Sequence, residues 1–233
     1  MIPLYHDFTD QTVLIFGGGP VGARKARRFA AEARVVVVSP AFEADDFGGA
    51  DLIRARPAAD DVGRWFDRTT PALAVAATDD DGVNDAVAAA ARDRGVLLNR
   101  ADRSAAIGDG GDDAEDPDAA GPPADVVVPA TVTDGDVRVA ISTGGRSPAL
   151  AKYLRERIGS EIEGAEGMAD LTADLRAELR ASDLEPSERR DAVRAVVRSS
   201  EVWKGLRTGT PNPRREATRV IRNTTGGDRW TRK

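Results

Sequence analysis

Residues 15–22 read Ile15-Phe16-Gly17-Gly18-Gly19-Pro20-Val21-Gly22 and continue the apolar run that begins at Val13. Gly17, Gly19 and Gly22 carry the G-x-G-x-x-G spacing of a strand-to-helix turn. In such a turn the first glycine permits the tight bend. The second lets a pyrophosphate approach the backbone, and the third lets the next helix pack close to its strand. The spacing predicts a helix from about Pro20 to Ala33, whose unpaired N–H groups and dipole favour an anion at its start. An ordinary tight turn carries the same glycines. The nucleotide reading is favoured by order: strand, glycines, helix, then a second apolar run at Val35–Val38.

The alternation continues. Strands are expected at Thr12–Phe16, Arg34–Val38, Leu52–Arg56, Leu73–Ala77 and Val96–Asn99, with an alanine-rich helix over Asn84–Arg94 that Gly95 ends. Strands alternating with helices imply an α/β, Rossmann-like parallel sheet with helices on both faces. Ligands bind beyond the carboxyl ends of such strands, here Gly17, Ser39, Thr78 and Asn99. Residues 108–124, rich in Gly, Asp and Pro, are expected to form a mobile loop. Two strand-like runs, Val126–Val132 and Val137–Ser142, flank the hairpin signal Thr133-Asp134-Gly135-Asp136 and mark a second module. Helices are expected from Ser147-Pro148 to about Gly159, over Glu161–Arg180 and over Ser187–Leu206, followed by a frayed tail from Thr208. The expected domains are 1–112, 113–148, 149–207 and 208–233.

Composition narrows the chemistry. The 233 residues include no cysteine and one histidine, His6, so thiolate nucleophiles, disulfides and His-rich metal sites are excluded, and no metal ligands are assigned. No run approaches the roughly 20 apolar residues that span a bilayer. Met1–Asp10 lacks the pattern of a signal peptide, so a cytoplasmic protein without a membrane partner is expected. A net charge of −6 argues against a nucleic-acid partner. Lysine occurs only at 25, 152, 204 and 233, whereas aspartate is abundant, a composition typical of salt-adapted proteins from GC-rich genomes.

Three segments in order carry a resemblance. They are Phe16–Gly22 with Arg24-Lys25-Ala26, then Ala76-Ala77-Thr78-Asp79-Asp80-Asp81 with Val83-Asn84, then Ala140-Ile141-Ser142-Thr143-Gly144-Gly145-Arg146-Ser147-Pro148-Ala149-Leu150-Ala151. Together they resemble the precorrin-2 dehydrogenase (siroheme synthase N-terminal) family over roughly residues 1–160. The third segment is the most specific, because Rossmann proteins in general lack it. The methyltransferase half that some members fuse at the C-terminus is absent from this sequence.

The resemblance implies NAD-dependent oxidation of precorrin-2 to sirohydrochlorin. In some members ferrous iron is inserted as a co-substrate. It also implies a homodimer with a β-rich dimerisation region and a helical C-terminal domain. The family's essential aspartate follows its fifth strand. The matching run here is Asn99-Arg100-Ala101-Asp102, so Asp102 inherits the role. Independently, dehydrogenation and pyrrole N–H loss both need a base. With no cysteine and a remote histidine, a carboxylate is the candidate, although a loop or N-cap aspartate fits the same position. Arg100 stands where the family usually has an apolar residue, and Arg103 follows. These arginines either lower the carboxylate's pKa or pair with the substrate's acetate and propionate groups. On the second reading, replacing Arg100 raises KM more than it lowers kcat.

The coenzyme residues expected are Gly17, Gly19, Pro20, Val21, Gly22, Ser39, Pro40, Ala41, Phe42, Thr78 and Asn99. No arginine is expected at this strand end to meet a 2′-phosphate, which favours NAD over NADP. Thr78 is expected on the nicotinamide side. Ser142, Thr143, Gly144, Gly145 and Arg146 either bind substrate carboxylates or simply turn the hairpin into a capped helix. From another class, an NAD-sensing regulatory module would need only the first 107 residues.

Overall fold

The computed structural model describes residues 3–101 and 126–227. They fall into two compact units, one ending at Val128 and the other beginning at Pro129. Asp102, Arg103 and the expected loop over 108–124 lie outside the described residues.

The first unit is a five-stranded parallel sheet of order β3-β2-β1-β4-β5, where β1 is Thr12–Phe16, β2 Arg34–Ser39, β3 Asp51–Arg54, β4 Leu73–Ala76 and β5 Leu97–Arg100. Alternate side chains enter opposite layers, which explains the unbroken apolar runs. Val13, Ile15, Val35 and Val37 meet Ala23, Ala26 and Phe29 of helix α1 (Pro20–Phe29). Leu14, Phe16, Val36 and Val38 meet Phe66 of α2 (Val62–Thr69) and Val83, Val87 and Ala91 of α3 (Asp81–Asp93). The chain order reverses between β1 and β4. The glycine turn leaving β1 therefore opens at the switch point where such sheets bind ligands.

Several boundaries differ from the sequence reading, each for a local reason. Helix α1 ends at Phe29, not Ala33. A helix rises about 1.5 Å per residue and a strand about 3.3 Å, so ten helical residues already match the five-residue β1. A longer helix would overshoot the entry to β2. Helix α3 starts earlier than expected because Asp80 caps it, its Oδ1 accepting the Val83 N–H at 3.1 Å. The apolar run 126–132 is not one strand. Val126 N–H donates to Leu98 O at 2.9 Å and so belongs with β5, whereas β6 begins at Ala130.

The second unit holds an antiparallel hairpin, β6 (Ala130–Asp134) and β7 (Val137–Ile141), then helices α4 (Pro148–Ile162), α5 (Ala165–Arg180), α6 (Pro186–Val197), α7 (Ser200–Thr208) and α8 (Pro213–Thr225). Ser147 caps α4, its Oγ accepting from Leu150 N–H at 3.3 Å. The single helix expected over Ser187–Leu206 is broken at Ser199, whose Oγ accepts the Val202 N–H and starts α7. The frayed tail expected from Thr208 is corrected by α8. Asn212 caps it, Pro213 opens it, and Ala217 and Ile221 are fully buried with Leu175, Val196 and Val202. Those two side chains, spaced i to i+4 after an Asn-Pro start, were the signal for this helix.

Candidate functional site

At the end of β1, Gly17 N–H donates to Val38 O at 3.0 Å, so the turn grows directly out of the sheet ladder. Gly17 has φ +120°, and a Cβ there would lie 2.1 Å from Ala77 O. Both facts admit only glycine. A Cβ on Gly22 would stand 2.0 Å from Gly17 O, which brings the first helical turn hard against the strand end.

Between them the structure adds a close approach that the sequence reading did not name. Gly18 is the residue without room: its Cβ would lie 2.1 Å from Ala41 O and 2.8 Å from Ser39 Oγ. Its carbonyl accepts the Glu43 N–H at 3.0 Å, which fixes the 39–43 segment alongside the glycine turn. Gly19 is open, and the nearest atom to its Cβ position is Glu43 Oε2 at 3.6 Å.

Gly19 caps α1 without a side-chain hydrogen bond, Pro20 opens the helix, and no acid stands in its first turn. The N–H groups of Val21 and Gly22 therefore have no intrahelical acceptor and sit at the positive end of the dipole. This cradle fits the pyrophosphate of a dinucleotide: a sterically open approach over Gly19 and donors at the helix start.

Around the cradle, the expected residues take the following places. Ser39 is buried at the end of β2, with Pro40, Ala41 and Phe42 running on beside Gly18. Thr78 turns inward on its own loop. Its Oγ1 donates to Asn84 Oδ1 at 2.8 Å, Asn84 Oδ1 also accepts Thr78 N–H, and Asn84 Nδ2 donates to Thr78 O at 2.9 Å. The buried Asn84 thus clamps the chain that faces Gly17, and Thr78 acts within that clamp. Asn99 Nδ2 donates to Val126 O at 2.7 Å, while its buried Oδ1 has no partner among the described residues.

Arg100 was expected to depress the Asp102 carboxyl or to pair with substrate. Its side chain is 6% exposed and Nη1 donates to Asp85 Oδ1 of α3 at 2.7 Å. The guanidinium joins strand β5 to helix α3. In the second unit, Thr143-Gly144-Gly145-Arg146 forms a turn closed by Arg146 N–H to Thr143 O, with positive φ at both glycines. Ser142 Oγ accepts Gly144 N–H, and Thr143 Oγ1 exchanges hydrogen bonds with Ser147 N–H and O, so both hydroxyls serve the turn. The Arg146 side chain is exposed.

Three residues were not singled out from sequence. Asn84 and Glu43 are two. The third, Arg54, overturns the absence of an arginine near this edge. Ser39 pairs with Arg54 in the sheet register, Arg54 Nη1 donates to Pro40 O at 3.2 Å, and its guanidinium lies over the Phe42 ring at 5.5 Å. A neighbouring strand supplies it, so a search along β2 alone misses it.

The helix behind the cradle is basic. Burial lowers the Lys25 ammonium from 10.5 to about 8, with lesser contributions from Arg28 and Arg24. Below about pH 8 both folded and unfolded chains hold this proton, and the folded state bears the full desolvation cost. From about 8 to 10.5 only the unfolded chain holds it, so stability from this group rises with pH across that window. Lys25→Met is therefore expected to stabilise the protein at neutral pH by about 1–3 kcal/mol, discounting the roughly 1.4 kcal/mol per unit for partial solvation. Urea titrations should show that gain shrinking toward zero by about pH 10.

Comparison with known proteins matches this layout. A family model described as putative NAD(P)-binding matches residues 4–107, and one described as sirohaem biosynthesis protein central matches residues 134–161. A precorrin-2 dehydrogenase of Methanosarcina barkeri is 29% identical over 213 residues, covering 88% of this chain and 86% of that protein. Siroheme synthases of Stutzerimonas stutzeri and Methylococcus capsulatus are 34% and 38% identical, each over 81% of this chain. The chain spans only 37% and 36% of their respective lengths. A solved structure titled SirC, precorrin-2 dehydrogenase, aligns with a TM-score of 0.62 at 22% identity, covering 96% of this chain and 100% of that one, and shares its fold. This chain belongs to the precorrin-2 dehydrogenase and siroheme synthase family.

Proposed function

We propose that the chain oxidises precorrin-2 to sirohydrochlorin with NAD. The observation that carries this reading is the glycine cradle at the switch point, followed in the same chain by the sirohaem-type central segment. The relative of matching length named precorrin-2 dehydrogenase supports it. Val21 and Gly22 N–H hold the pyrophosphate, Gly17 and Gly18 keep the turn close, and Ser39 to Phe42 border the adenosine side. When bound, NAD supplies the hydride acceptor. The substrate then loses a hydride from carbon and a proton from a neighbouring position, and Asp102 is the carboxylate that takes the proton. Ser142 to Gly145 and Arg146 are proposed to meet substrate carboxylates through main-chain N–H groups and the exposed guanidinium. Anaerobic incubation of the full chain with precorrin-2 and NAD should yield equimolar NADH and sirohydrochlorin. Failure with both NAD and NADP would remove the assignment.

Coenzyme choice rests on two opposed side chains. Glu43, 21 residues past Gly22, supplies the carboxylate near the cradle that suits ribose hydroxyls and repels a 2′-phosphate. Arg54 on Phe42 is the cation a 2′-phosphate would meet. Glu43→Gln is expected to raise the NADP-to-NAD ratio of kcat/KM by about tenfold, the equivalent of roughly 1.4 kcal/mol. An unchanged ratio assigns discrimination elsewhere.

The same reading makes the protein a homodimer working in the cytoplasm. Helix α4 buries none of its residues, and Leu150 and Tyr153 on it are 47% and 55% exposed. The two-stranded β6–β7 sheet beside it in sequence is marginal alone. A second copy covering these elements supplies the missing burial. The proposed domains are the coenzyme domain to residue 112, a dimerisation region from 113 to 148, and a helical domain from 149 that takes in α8. Insertion of ferrous iron as co-substrate is the further activity proposed from the siroheme synthase relatives. Iron-dependent conversion of sirohydrochlorin to siroheme by the purified chain tests it. Among the described residues no three His, Asp or Glu side chains gather into a metal site, and no helix is long and apolar enough to cross a membrane.

A further inference from the structure

Helices α5 and α6, joined by residues 181–185, flank an open groove of about 730 Å³ within the second unit. Its walls carry Arg176 and Arg180 from α5, Arg189, Arg190 and Arg194 from α6, and Arg198 at the C-terminal cap of α6. Its floor is aliphatic: Leu179, Val193 and Val197, the last 41% exposed. No acidic residue lines it.

This concentration of charge runs against the balance of the whole chain, which has 39 acidic and 33 basic residues. Like charges spaced i, i+4 on a helix repel by a few tenths of a kcal/mol each, and 176/180, 190/194 and 194/198 all have that spacing. Three of the arginines are locally engaged. Arg180 Nε donates to Arg176 O, Arg189 Nε to Leu184 O, and Arg194 Nη1 to Asp191 Oδ1. The side chains of Arg176, Arg190 and Arg198 make no hydrogen bond or ion pair among the described residues.

Two rows of guanidinium groups above an apolar floor match a molecule with a flat apolar body and several carboxylates at its edge. Arginine takes carboxylates as two parallel N–H···O bonds, and the floor accepts the hydrocarbon face. The volume lies within the roughly 300–1,000 Å³ of small-molecule sites. A phosphodiester strand would use the guanidinium rows and leave the exposed Val197 without a role. We propose that this groove is a second ligand site that holds a polycarboxylate tetrapyrrole, separate from the coenzyme cradle. The identity of that ligand class rests on the dehydrogenase reading above. Such a site retains a reactive product on the protein until a consuming enzyme takes it.

The test uses the full chain and three fluorescent porphyrins: uroporphyrin with eight carboxylates, coproporphyrin with four and mesoporphyrin with two. The expected order of affinity follows carboxylate number. Arg190→Glu/Arg198→Glu is expected to weaken uroporphyrin at least tenfold, and Val197→Asp to weaken it too. Both variants should retain wild-type circular dichroism and wild-type kcat/KM for precorrin-2. Equal uroporphyrin affinity in wild type and double variant overturns the proposal. So does a single-stranded oligonucleotide that binds more tightly than uroporphyrin and is lost in the same variant, which marks a nucleic-acid surface. Because the porphyrin titration needs no turnover, loss of dehydrogenase activity in the wild type would count against the dehydrogenase reading and not against the groove.

Discussion

Gly17→Ala is expected to destabilise the protein by about 4 kcal/mol or more and to abolish coenzyme binding in whatever fraction still folds. Two independent costs combine. At φ +120° an L side chain is strained by about 1–3 kcal/mol. The new methyl also stands 2.1 Å from Ala77 O, a main-chain atom of the loop held by Asn84, so relief means moving that loop away from β1. Gly19→Ala is the contrasting control. Its Cβ meets nothing closer than Glu43 Oε2 at 3.6 Å, so the variant should fold with stability within about 1 kcal/mol of wild type. Its methyl instead occupies the phosphate approach and should weaken NAD at least tenfold. Thermal melts and calorimetric NAD titrations of the two variants separate these effects. Equal stability of Gly17→Ala and wild type would falsify the close-packed account of this turn.

The contrast shows what the sequence can and cannot carry. The parallel strands and the glycine turn after β1 were legible because β1 and β2 are buried on both faces and so read as unbroken apolar runs, with the glycines placed at one run's end. Which glycine is crowded was not legible. Gly18 is fixed by Ser39 and Ala41, which chain spacing alone does not place against it. Arg54 was hidden for the same reason, since it reaches Phe42 from the adjacent strand. The charge on Arg100 was visible, but its pairing with Asp85 depends on how α3 lies on β5. Helix α8 was missed because polar and basic residues mask a narrow apolar stripe at Ala217 and Ile221. The arginine groove joins side chains from two helices, and only their packing turns scattered arginines into one surface.

The largest effect on turnover is expected at Asp102. Asp102→Asn keeps the size and shape of the side chain and removes the proposed proton acceptor, so kcat should fall by about 10²–10⁴ while NAD affinity stays within about twofold. The proposed coenzyme donors of α1 belong to a different segment, so binding and chemistry are expected to separate in this variant. Arg100 was one of two arginines expected to depress this carboxylate or to pair with substrate. With its buried guanidinium held by Asp85, Arg100→Leu is expected to cost stability and to leave KM close to wild type, whereas a rise in KM would favour the substrate-pairing reading. Asp102→Glu provides the discriminating case. It restores the base at a longer reach and should recover part of kcat, which a purely structural aspartate would not do. Steady-state NADH formation under anaerobic conditions, read beside NAD titrations, gives both quantities. An Asp102→Asn enzyme with more than about a tenth of wild-type kcat moves the base to another residue.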